Sequence, residues 1–342
     1  MAASNPPAAA LFGCAGLALS EAERRFFAET NPLGFILFAR NVDNPDQVRA
    51  LVAALRDSVG RADAPVLIDQ EGGRVQRLKP PHWRKAPPGE PFAQLAKRDM
   101  AAAREALRLN FRLIGRELAD LGIDVDCAPV LDVPVAGAHD VIGDRAYGRT
   151  AAQVSALAGE VMEGLLDEGV LPVIKHIPGH GRAMVDSHLD LPVVEATLAE
   201  LEAQDFPPFH QLRHAPWAMT AHVVYTALDA KAPATTSAKV ISQVIRGVIG
   251  FDGVLISDDL SMKALGGSFQ DRTTGSLDAG CDVVLHCNGD MVEMQAIASV
   301  IRPLTDAALT RLARGEAMKR KLAALDTGAA IARVNNLLGM TP

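Results

Sequence analysis

The sequence is richest in reactive side chains between residues 175 and 188. This stretch, KHIPGHGRAMVDSH, holds three histidines, one lysine and one aspartate. Its glycines, Gly179 and Gly181, allow the chain to turn sharply. Asp186 and His188 are two residues apart, and in a loop this spacing lets a carboxylate hydrogen-bond an imidazole. Such a bond fixes the tautomer of the histidine and raises its pKa, so the pair is suited to general acid–base chemistry.

The same stretch allows a second kind of chemistry. A zinc ion, as in metal-dependent amidohydrolases, could be held by His176, His180, Asp186 and His188. Lys175 argues against this arrangement, because an ammonium beside a divalent cation is repelled unless it serves another ligand. We expect no metal and no cofactor, and the zinc alternative stays open from the residues alone.

Two adjacent acids mark a second reactive stretch, ISDDLSM, at residues 256–262. Helix capping does not explain both acids. Asp258, fixed at the end of a strand, could act as a nucleophile or stabilise an oxocarbenium-like centre. We expect Asp259 to point elsewhere, where it orients the following loop or caps the next helix.

A third stretch, LIDQEGGRVQR, covers residues 67–77. Asp69 ends an apolar run, and Gly72 and Gly73 permit a tight turn that could return Arg74 or Arg77 to the same place. A carboxylate can accept hydrogen bonds from two vicinal hydroxyls, so this arrangement suits a sugar. The alternative is a structural Asp–Arg pair.

These residues follow short apolar runs that recur along the chain. The eight runs are Ala8–Ala15, Gly34–Ala39, Pro65–Asp69, Val125–Val133, Leu171–His176, Trp217–His222, Val254–Asp258 and Asp282–Cys287. They are continuously apolar, as in the strands of a parallel sheet that is covered on both faces. Helical signals separate them, including the N-cap residues Ser20 and Asn44.

Eight such units predict a single α/β domain, a closed (β/α)8 TIM barrel over residues 1–342. We expect irregular geometry near its N-terminal units and no second α/β domain. A doubly wound open sheet is the structural alternative. In a barrel, the active site lies at the carboxyl ends of the strands. Runs three to eight end in polar side chains, namely Asp69, Asp132, Lys175 with His176, His222, Asp258 and Asn288.

Composition excludes several classes of protein. The chain has 342 residues, 49% of them apolar, and a net charge of -7. Such a chain is not disordered, and its acidity argues against nucleic acid and anionic membranes as partners. No apolar run approaches the roughly 20 residues of a membrane span. The first basic residue, Arg24, follows the apolar stretch Ala8–Leu19, so we interpret that stretch as a buried strand rather than a signal peptide.

Six strings occur in the order typical of one enzyme family: GFILFARN, LIDQEGGRVQRL, VIGDRAYG, KHIPGHGRAMVDSHLDLP, LISDDLSMKAL and AGCDVVLHCN. With them the sequence resembles the bacterial β-N-acetylhexosaminidases of glycoside hydrolase family 3. The resemblance implies a retaining mechanism in which Asp258 is the nucleophile, His188 the general acid/base and Asp186 its hydrogen-bonded partner. It also implies that N-acetylglucosamine is bound by Asp69, Arg77, Arg145, Lys175 and His176.

The resemblance further implies a role in the cytoplasm, in recycling of peptidoglycan. The implied substrate is N-acetylglucosaminyl-β-1,4-anhydro-N-acetylmuramoyl-peptide, and a monomer is expected. Residues 179–191 are expected to form a mobile lid. The sequence departs from the family at Ile177, where phenylalanine is common. A metal-dependent amidohydrolase, a sugar-binding protein without catalysis and a phosphorylase remain alternatives.

Overall fold

Eight parallel strands form a closed barrel in which every strand pairs with its neighbours in the chain and the first strand pairs with the last. The structure, a computed structural model, describes residues 6–185, 187, 190–321 and 324–340. The strands are β1 Ala8–Phe12, β2 Pro32–Leu37, β3 Val66–Ile68, β4 Val125–Asp126, β5 Leu171–Ile177, β6 Trp217–Thr220, β7 Val254–Asp259 and β8 Val283–His286.

Each of the eight predicted runs overlaps a barrel strand, so the predicted TIM barrel is confirmed and the open-sheet alternative is wrong. The first run forms β1, which is buried throughout. Irregularity near the N-terminal units is present as well. The register of β1 against β2 shifts between Ala8 and Leu11, and β3 and β4 contain only three and two residues.

Helices surround the barrel. They are α1 Glu21–Thr30, α2 Pro45–Ser58, α3 Gly89–Ala96, α4 Met100–Asp120, α5 Ala151–Asp167, α6 Leu198–Glu200, α7 Phe206–Gln211, α8 Phe269–Ala279, α9 Met291–Ala298, α10 Asp306–Glu316 and α11 Thr327–Leu338. Two π-helical segments cover Leu201–Asp205 and Val240–Val248. The predicted caps are present: Ser20 forms a capping box with Glu23, and Asn44 accepts a hydrogen bond from the Gln47 amide.

The apolar core runs continuously from the barrel to the inner faces of the helices. Phe12, Phe27 and Phe35 pack ring against ring where α1 meets the first two strands. All four cysteines are free and buried. In the described part of the chain, no helix is both long enough and apolar enough to cross a bilayer. The continuous core makes the barrel a well-packed support for the residues at its rim.

Two short ribbons lie beyond the carboxyl ends of the strands. Gln70–Gly72 pairs antiparallel with Val75–Gln76 directly after β3. Val193–Val194, which follows the histidine-rich stretch, pairs parallel with Val224–Tyr225. Both ribbons fold segments of chain back over the rim where the predicted site residues lie.

Candidate active site

A pocket opens at the carboxyl ends of the strands and encloses about 730 Å³ of empty space, its mouth included. Six of the predicted site residues line it: Asp69, Arg77, Arg145, Lys175, His176 and Asp258. The other two, Asp186 and His188, lie outside the described residues. Ser187, which stands between them in the chain, lines the pocket. The strand ends therefore converge as the barrel prediction requires.

Strand β5 contributes two consecutive residues to the pocket, although neighbouring side chains of a regular strand point to opposite faces. The pairing of β5 with β6 shifts register between Lys175 and Ile177, which leaves His176 as an extra residue. Such a bulge redirects side chains. Both Lys175 and His176 can therefore line the same cavity.

One wall of the pocket is a chain of alternating charges. Asp69 accepts hydrogen bonds from Lys175 Nζ at 2.9 Å and from the Arg77 guanidinium at 3.1 Å. Lys175 Nζ also lies 2.7 Å from Glu71. Glu71 in turn accepts two hydrogen bonds of 2.8 Å from Arg145, a bidentate pair. The three cations are thus held by two carboxylates.

The pKa values in this wall follow from those contacts. Burial raises the pKa of the Asp69 carboxyl, but Lys175 and Arg77 outweigh that effect and hold the pKa well below its usual range. Burial likewise acts to raise the pKa of Glu71, and Arg145 and Lys175 lower it to about 2. Burial alone would lower the pKa of Lys175, yet Asp69 and Glu71 raise it above its usual range. The wall is therefore fully ionised at neutral pH, and it can donate hydrogen bonds to hydroxyls and accept them.

Asp132 does not line the pocket, but it contacts two histidines that do. Its carboxylate lies 2.7 Å from His176 Nδ1 and accepts the backbone N–H of His180 at 2.6 Å. Burial acts to raise the pKa of Asp132, but His176 and these hydrogen bonds lower it to about 2. The ionised carboxylate thus fixes the His176 ring and the start of the loop that follows.

His180 is held as a neutral ring. Burial, with a contribution from His176, lowers its pKa to about 4. Its Nε2 lies 3.1 Å from Ser187 Oγ. Among the described residues, no three histidine, cysteine or acidic side chains are grouped so that they could hold a metal ion. The zinc alternative also needs Asp186 and His188, which lie outside the described residues.

The two acids at the end of β7 both line the pocket, but their carboxylates have different partners. Asp258 lines the pocket, and its Oδ1 accepts the backbone N–H of Asp259 at 2.8 Å. The Asp259 carboxylate accepts hydrogen bonds from the Ser261 backbone and hydroxyl, at 2.9 and 2.6 Å, and from the Cys287 N–H at 3.1 Å. Asp259 therefore orients the following loop, as predicted, but contrary to our expectation it also lines the pocket.

Sequence reasoning missed the ion pairs of Glu71, and it expected two strand-end residues, His222 and Asn288, at a site whose pocket they do not line. Glu71 lies in the quoted string LIDQEGGR, but its pairing with Lys175 and Arg145 depends on contacts between distant parts of the chain. His222 is buried next to β7 rather than in the pocket, and its Nε2 contacts the Asp259 carbonyl. The Asn288 side-chain amide donates a hydrogen bond to the Glu293 carboxylate.

Comparison with known proteins places these residues in a family. Residues 12–314 match the model of the glycosyl hydrolase family 3 N-terminal domain. The β-hexosaminidase of Alkalilimnicola ehrlichii is 40% identical over 300 residues, 86% of this chain and 84% of that protein. The β-hexosaminidase of Methylococcus capsulatus is 39% identical over 298 residues, 86% of each chain.

Solved structures share the architecture. Native NagZ from Neisseria gonorrhoeae superposes with a TM-score of 0.88 at 33% identity over 99% of both chains. NagZ from the same organism in complex with N-trifluoroacetyl-D-glucosamine gives a TM-score of 0.87 over 98% of this chain and 99% of that one. The family model covers most of the chain and the NagZ structures match it almost end to end, so this glycoside hydrolase belongs to glycosyl hydrolase family 3.

Proposed function

We propose that the chain is a retaining exo-β-N-acetylglucosaminidase that removes a terminal β-linked N-acetylglucosamine. The observation that carries this proposal is the position of Asp258, a half-buried carboxylate that shares one pocket with the charged wall of Asp69, Lys175 and Arg77. A retaining glycosidase needs such a carboxylate opposite groups that bind sugar hydroxyls. The relatives named β-hexosaminidase and the N-acylglucosamine bound by gonococcal NagZ support this substrate class.

In the first step, an Asp258 oxygen attacks the anomeric carbon and the bond to the leaving oxygen breaks. Protonated His188 donates its proton to that oxygen, and a covalent glycosyl–Asp258 ester remains. Asp69, Arg77, Arg145, Lys175 and His176 bind the sugar through its hydroxyl and acetamido groups. The charged wall is already ionised and ordered by its own pairs, so it needs little rearrangement when the sugar binds.

In the second step, neutral His188 removes a proton from water, and the water oxygen attacks the anomeric carbon. The ester to Asp258 breaks, and N-acetylglucosamine leaves with its original β configuration. Asp186 accepts a hydrogen bond from the His188 ring and stabilises its charged form. His188 and Asp186 receive these roles from the DSH string, and the lining of the pocket by Ser187 supports them.

The proposed natural substrate is N-acetylglucosaminyl-β-1,4-anhydro-N-acetylmuramoyl-peptide, processed by a cytoplasmic monomer during peptidoglycan recycling. This finer proposal rests on the family resemblance. It predicts that the disaccharide-peptide is cleaved at its glycosidic bond to yield free N-acetylglucosamine and an intact anhydromuramoyl-peptide. Mass spectrometry of the two products, with chitobiose as the comparison substrate, tests it.

The mechanism is tested with 4-nitrophenyl N-acetyl-β-D-glucosaminide. Asp258→Ala should lower kcat by about 10³-fold or more, because no covalent intermediate can form. His188→Ala should lower kcat less and should flatten the pH profile. Azide should restore turnover in both variants, and should yield the α-glycosyl azide with Asp258→Ala and the β-glycosyl azide with His188→Ala. Asp278→Ala is the matched control, since Asp278 is an exposed acid paired with Arg302 outside the pocket.

The alternatives give different products. An α-anomer as the first product in an NMR time course would overturn the retaining mechanism. Loss of activity with EDTA would indicate the metal-dependent enzyme, and an N-acetylglucosamine 1-phosphate product in phosphate buffer would indicate a phosphorylase. Tight binding of N-acetylglucosamine by a folded protein without turnover would leave a sugar-binding protein.

A further inference from the structure

Three polar side chains are completely buried beside the end of β7. They are Thr220 at the end of β6, His222 two residues later and Thr235 in the 3-10 turn Ala234–Thr236. We call these three residues the polar clamp. None of them lines the pocket. Buried polar side chains are costly unless they are hydrogen-bonded, so their partners indicate what they do.

The polar clamp holds the Asp258–Asp259 dipeptide at both ends. The backbone N–H of Asp258 donates to Thr220 Oγ1 at 3.3 Å. Thr220 Oγ1 lies 2.8 Å from Thr235 Oγ1, which lies 2.7 Å from His222 Nδ1. His222 Nε2 lies 3.0 Å from the backbone carbonyl of Asp259. The hydrogen bonds thus run from one end of the dipeptide through the clamp to the other.

When all four bonds of this series form, their directions are fixed by its two ends. A carbonyl oxygen can only accept, so His222 Nε2 carries a hydrogen, and the neutral ring then presents a lone pair at Nδ1. Thr235 donates to that lone pair and accepts from Thr220. Thr220 in turn accepts from the Asp258 N–H, which can only donate. The Ala221 carbonyl, 3.2 Å from Thr235 Oγ1, is a longer alternative acceptor for the same hydrogen.

The clamp acts where regular strand pairing has stopped. The paired register of β6 and β7 ends at Met219 and Ile256. Beyond that point a buried backbone N–H needs another acceptor, and the Thr220 hydroxyl supplies one. Burial also lowers the pKa of His222, which favours the neutral ring that the bond series requires.

Orientation of the dipeptide controls the carboxylate of Asp258. The backbone N–H of Asp259 lies in the middle of the dipeptide and donates to Asp258 Oδ1 at 2.8 Å. A rotation of this segment would move that donor and release the carboxylate oxygen. A nucleophile reacts efficiently only when it is held close to the attack geometry.

We propose that the polar clamp positions the nucleophile Asp258 through the backbone of the Asp258–Asp259 dipeptide. This inference rests on the proposed function, in which Asp258 attacks the sugar. The clamp residues are positioning residues, since they do not line the pocket. Removing a hydrogen bond of the polar clamp is expected to lower the rate at which Asp258 attacks the sugar, whereas binding of the sugar in the ground state is preserved.

The first test uses the unmodified protein. NMR of the protein with ¹⁵N-labelled histidine should show His222 as the neutral Nε2–H tautomer between pH 6 and 8. A hydrogen on Nδ1 would reverse the bond to Thr235 and would leave the Asp259 carbonyl without its donor. That result would overturn the inference without any need for a folded variant.

The second test removes one hydroxyl. Thr235→Val should lower kcat/KM for 4-nitrophenyl N-acetyl-β-D-glucosaminide by about 10- to 100-fold, as for a small misplacement of a reacting group. The inhibition constant for free N-acetylglucosamine should stay within about twofold. The loss of kcat/KM in Thr235→Val should be equal for substrates with good and with poor phenol leaving groups, because this variant leaves proton donation unaffected. In His188→Ala the loss of kcat/KM should be larger for substrates with poor leaving groups. Thr235→Ser, which keeps the hydroxyl, should restore most of the rate.

Thr273→Val is the matched control. Thr273 is completely buried, and its hydroxyl donates to the Phe269 carbonyl at 2.7 Å inside α8. The control also loses one buried hydroxyl, and it should keep full kcat/KM. A folded Thr235→Val with unchanged kcat/KM, while Asp258→Ala is inactive, would overturn the inference alone. A folded wild type without glycosidase activity would overturn the proposed function, and the inference with it.

Discussion

Glu71 illustrates how a residue that does not itself line the pocket can stabilise the charges of residues that do. Its carboxylate is buried between Lys175 and Arg145, at 2.7 and 2.8 Å. Without it, two buried cations would lie close together and lack the carboxylate that they share. Because an unpaired buried charge is costly, the wall depends on Glu71 as much as on the residues that line the pocket.

We therefore predict that Glu71→Gln lowers kcat/KM by at least about tenfold, which corresponds to about 1.4 kcal/mol of transition-state binding. The amide keeps the shape of the side chain and removes its charge, so Lys175 and Arg145 lose their shared counterion and shift. Steady-state kinetics with the 4-nitrophenyl substrate measures the loss, which should appear chiefly as a higher KM.

Glu160→Gln is the control for this prediction. Glu160 is also a nearly buried acid in an ion-pair network, with Arg104 and Arg108, but its network joins α4 and α5 outside the barrel. This variant should keep wild-type kcat/KM. Equal losses in both variants would mean that the charge of Glu71 has no specific effect on the pocket.

How much of the pocket could be predicted depends on where each residue lies in the chain. Asp69, Lys175 and Asp258 end apolar runs, so the barrel fold alone places them at one rim. Arg145 lies in the 3-10 turn Gly143–Arg145, far from any strand end, and only the family resemblance identified it. The support from Asp132 depends on a side-chain contact across strands that no local pattern reveals.

At the scale of structural elements, the segment that follows β5 matters most for the proposed mechanism. Asp132 binds the His180 N–H, and the Tyr225 hydroxyl donates to the Gly179 carbonyl at 2.7 Å. Val135 N–H donates to the Gly181 carbonyl at 3.1 Å. Hydrogen bonds to several parts of the barrel therefore hold the start of the proposed lid. The expected motion stays a prediction for the later residues of the segment.

Gly181 is a position in this segment where there is no room for a side chain. A Cβ at this position would overlap the backbone carbonyl of Val133. We predict that Gly181→Ala destabilises the protein by about 1–3 kcal/mol, as overpacking does, and lowers kcat by displacing the segment that leads to His188. Thermal unfolding and steady-state kinetics measure the two effects.

Gly16→Ala provides the comparison, because a Cβ at Gly16 would meet no atom within 4 Å. It should change neither quantity. A Gly181→Ala protein with wild-type kcat would show that the position of this segment does not matter for catalysis.

At this scale the sequence predicted the barrel strands well and the irregular pairing near the rim poorly. Continuous apolar runs mark all eight barrel strands, because both faces of each strand are covered. The bulge at His176 and the two-residue ribbon Val193–Val194 left no such mark. Both depend on pairing with strands distant in the sequence, and a strand of two residues has no periodicity to detect.

At the scale of the whole molecule, closing the barrel buries carboxyl groups completely, and one of them is Asp126, at the end of β4. Its Oδ1 accepts the Gln70 N–H at 2.9 Å, and its Oδ2 has no hydrogen-bond partner among the described residues. Burial raises the pKa of this carboxyl to about 8. The folded protein therefore keeps a proton there at neutral pH that the unfolded chain releases.

The sign of the resulting pH dependence follows from proton linkage. In the unfolded chain an aspartate has a pKa of about 3.9. Between about pH 4 and pH 8 the folded state binds one proton more at Asp126, so rising pH lowers the stability by up to about 1.4 kcal/mol per pH unit. Below and above this range the two states bind equal numbers of protons at this site, and its contribution is constant.

Asp126→Asn should remove this pH dependence, because the amide resembles a protonated carboxyl and does not titrate. We predict that the variant gains stability relative to wild type as the pH rises from 5 to 8, and that the gain levels off above about pH 9. Urea unfolding at a series of pH values measures the difference, with Asp278→Asn as the control, since 68% of the Asp278 side chain is exposed. A difference that stays flat or reverses between pH 5 and 8 would mean that Asp126 is already ionised in the folded barrel, stabilised by Lys175.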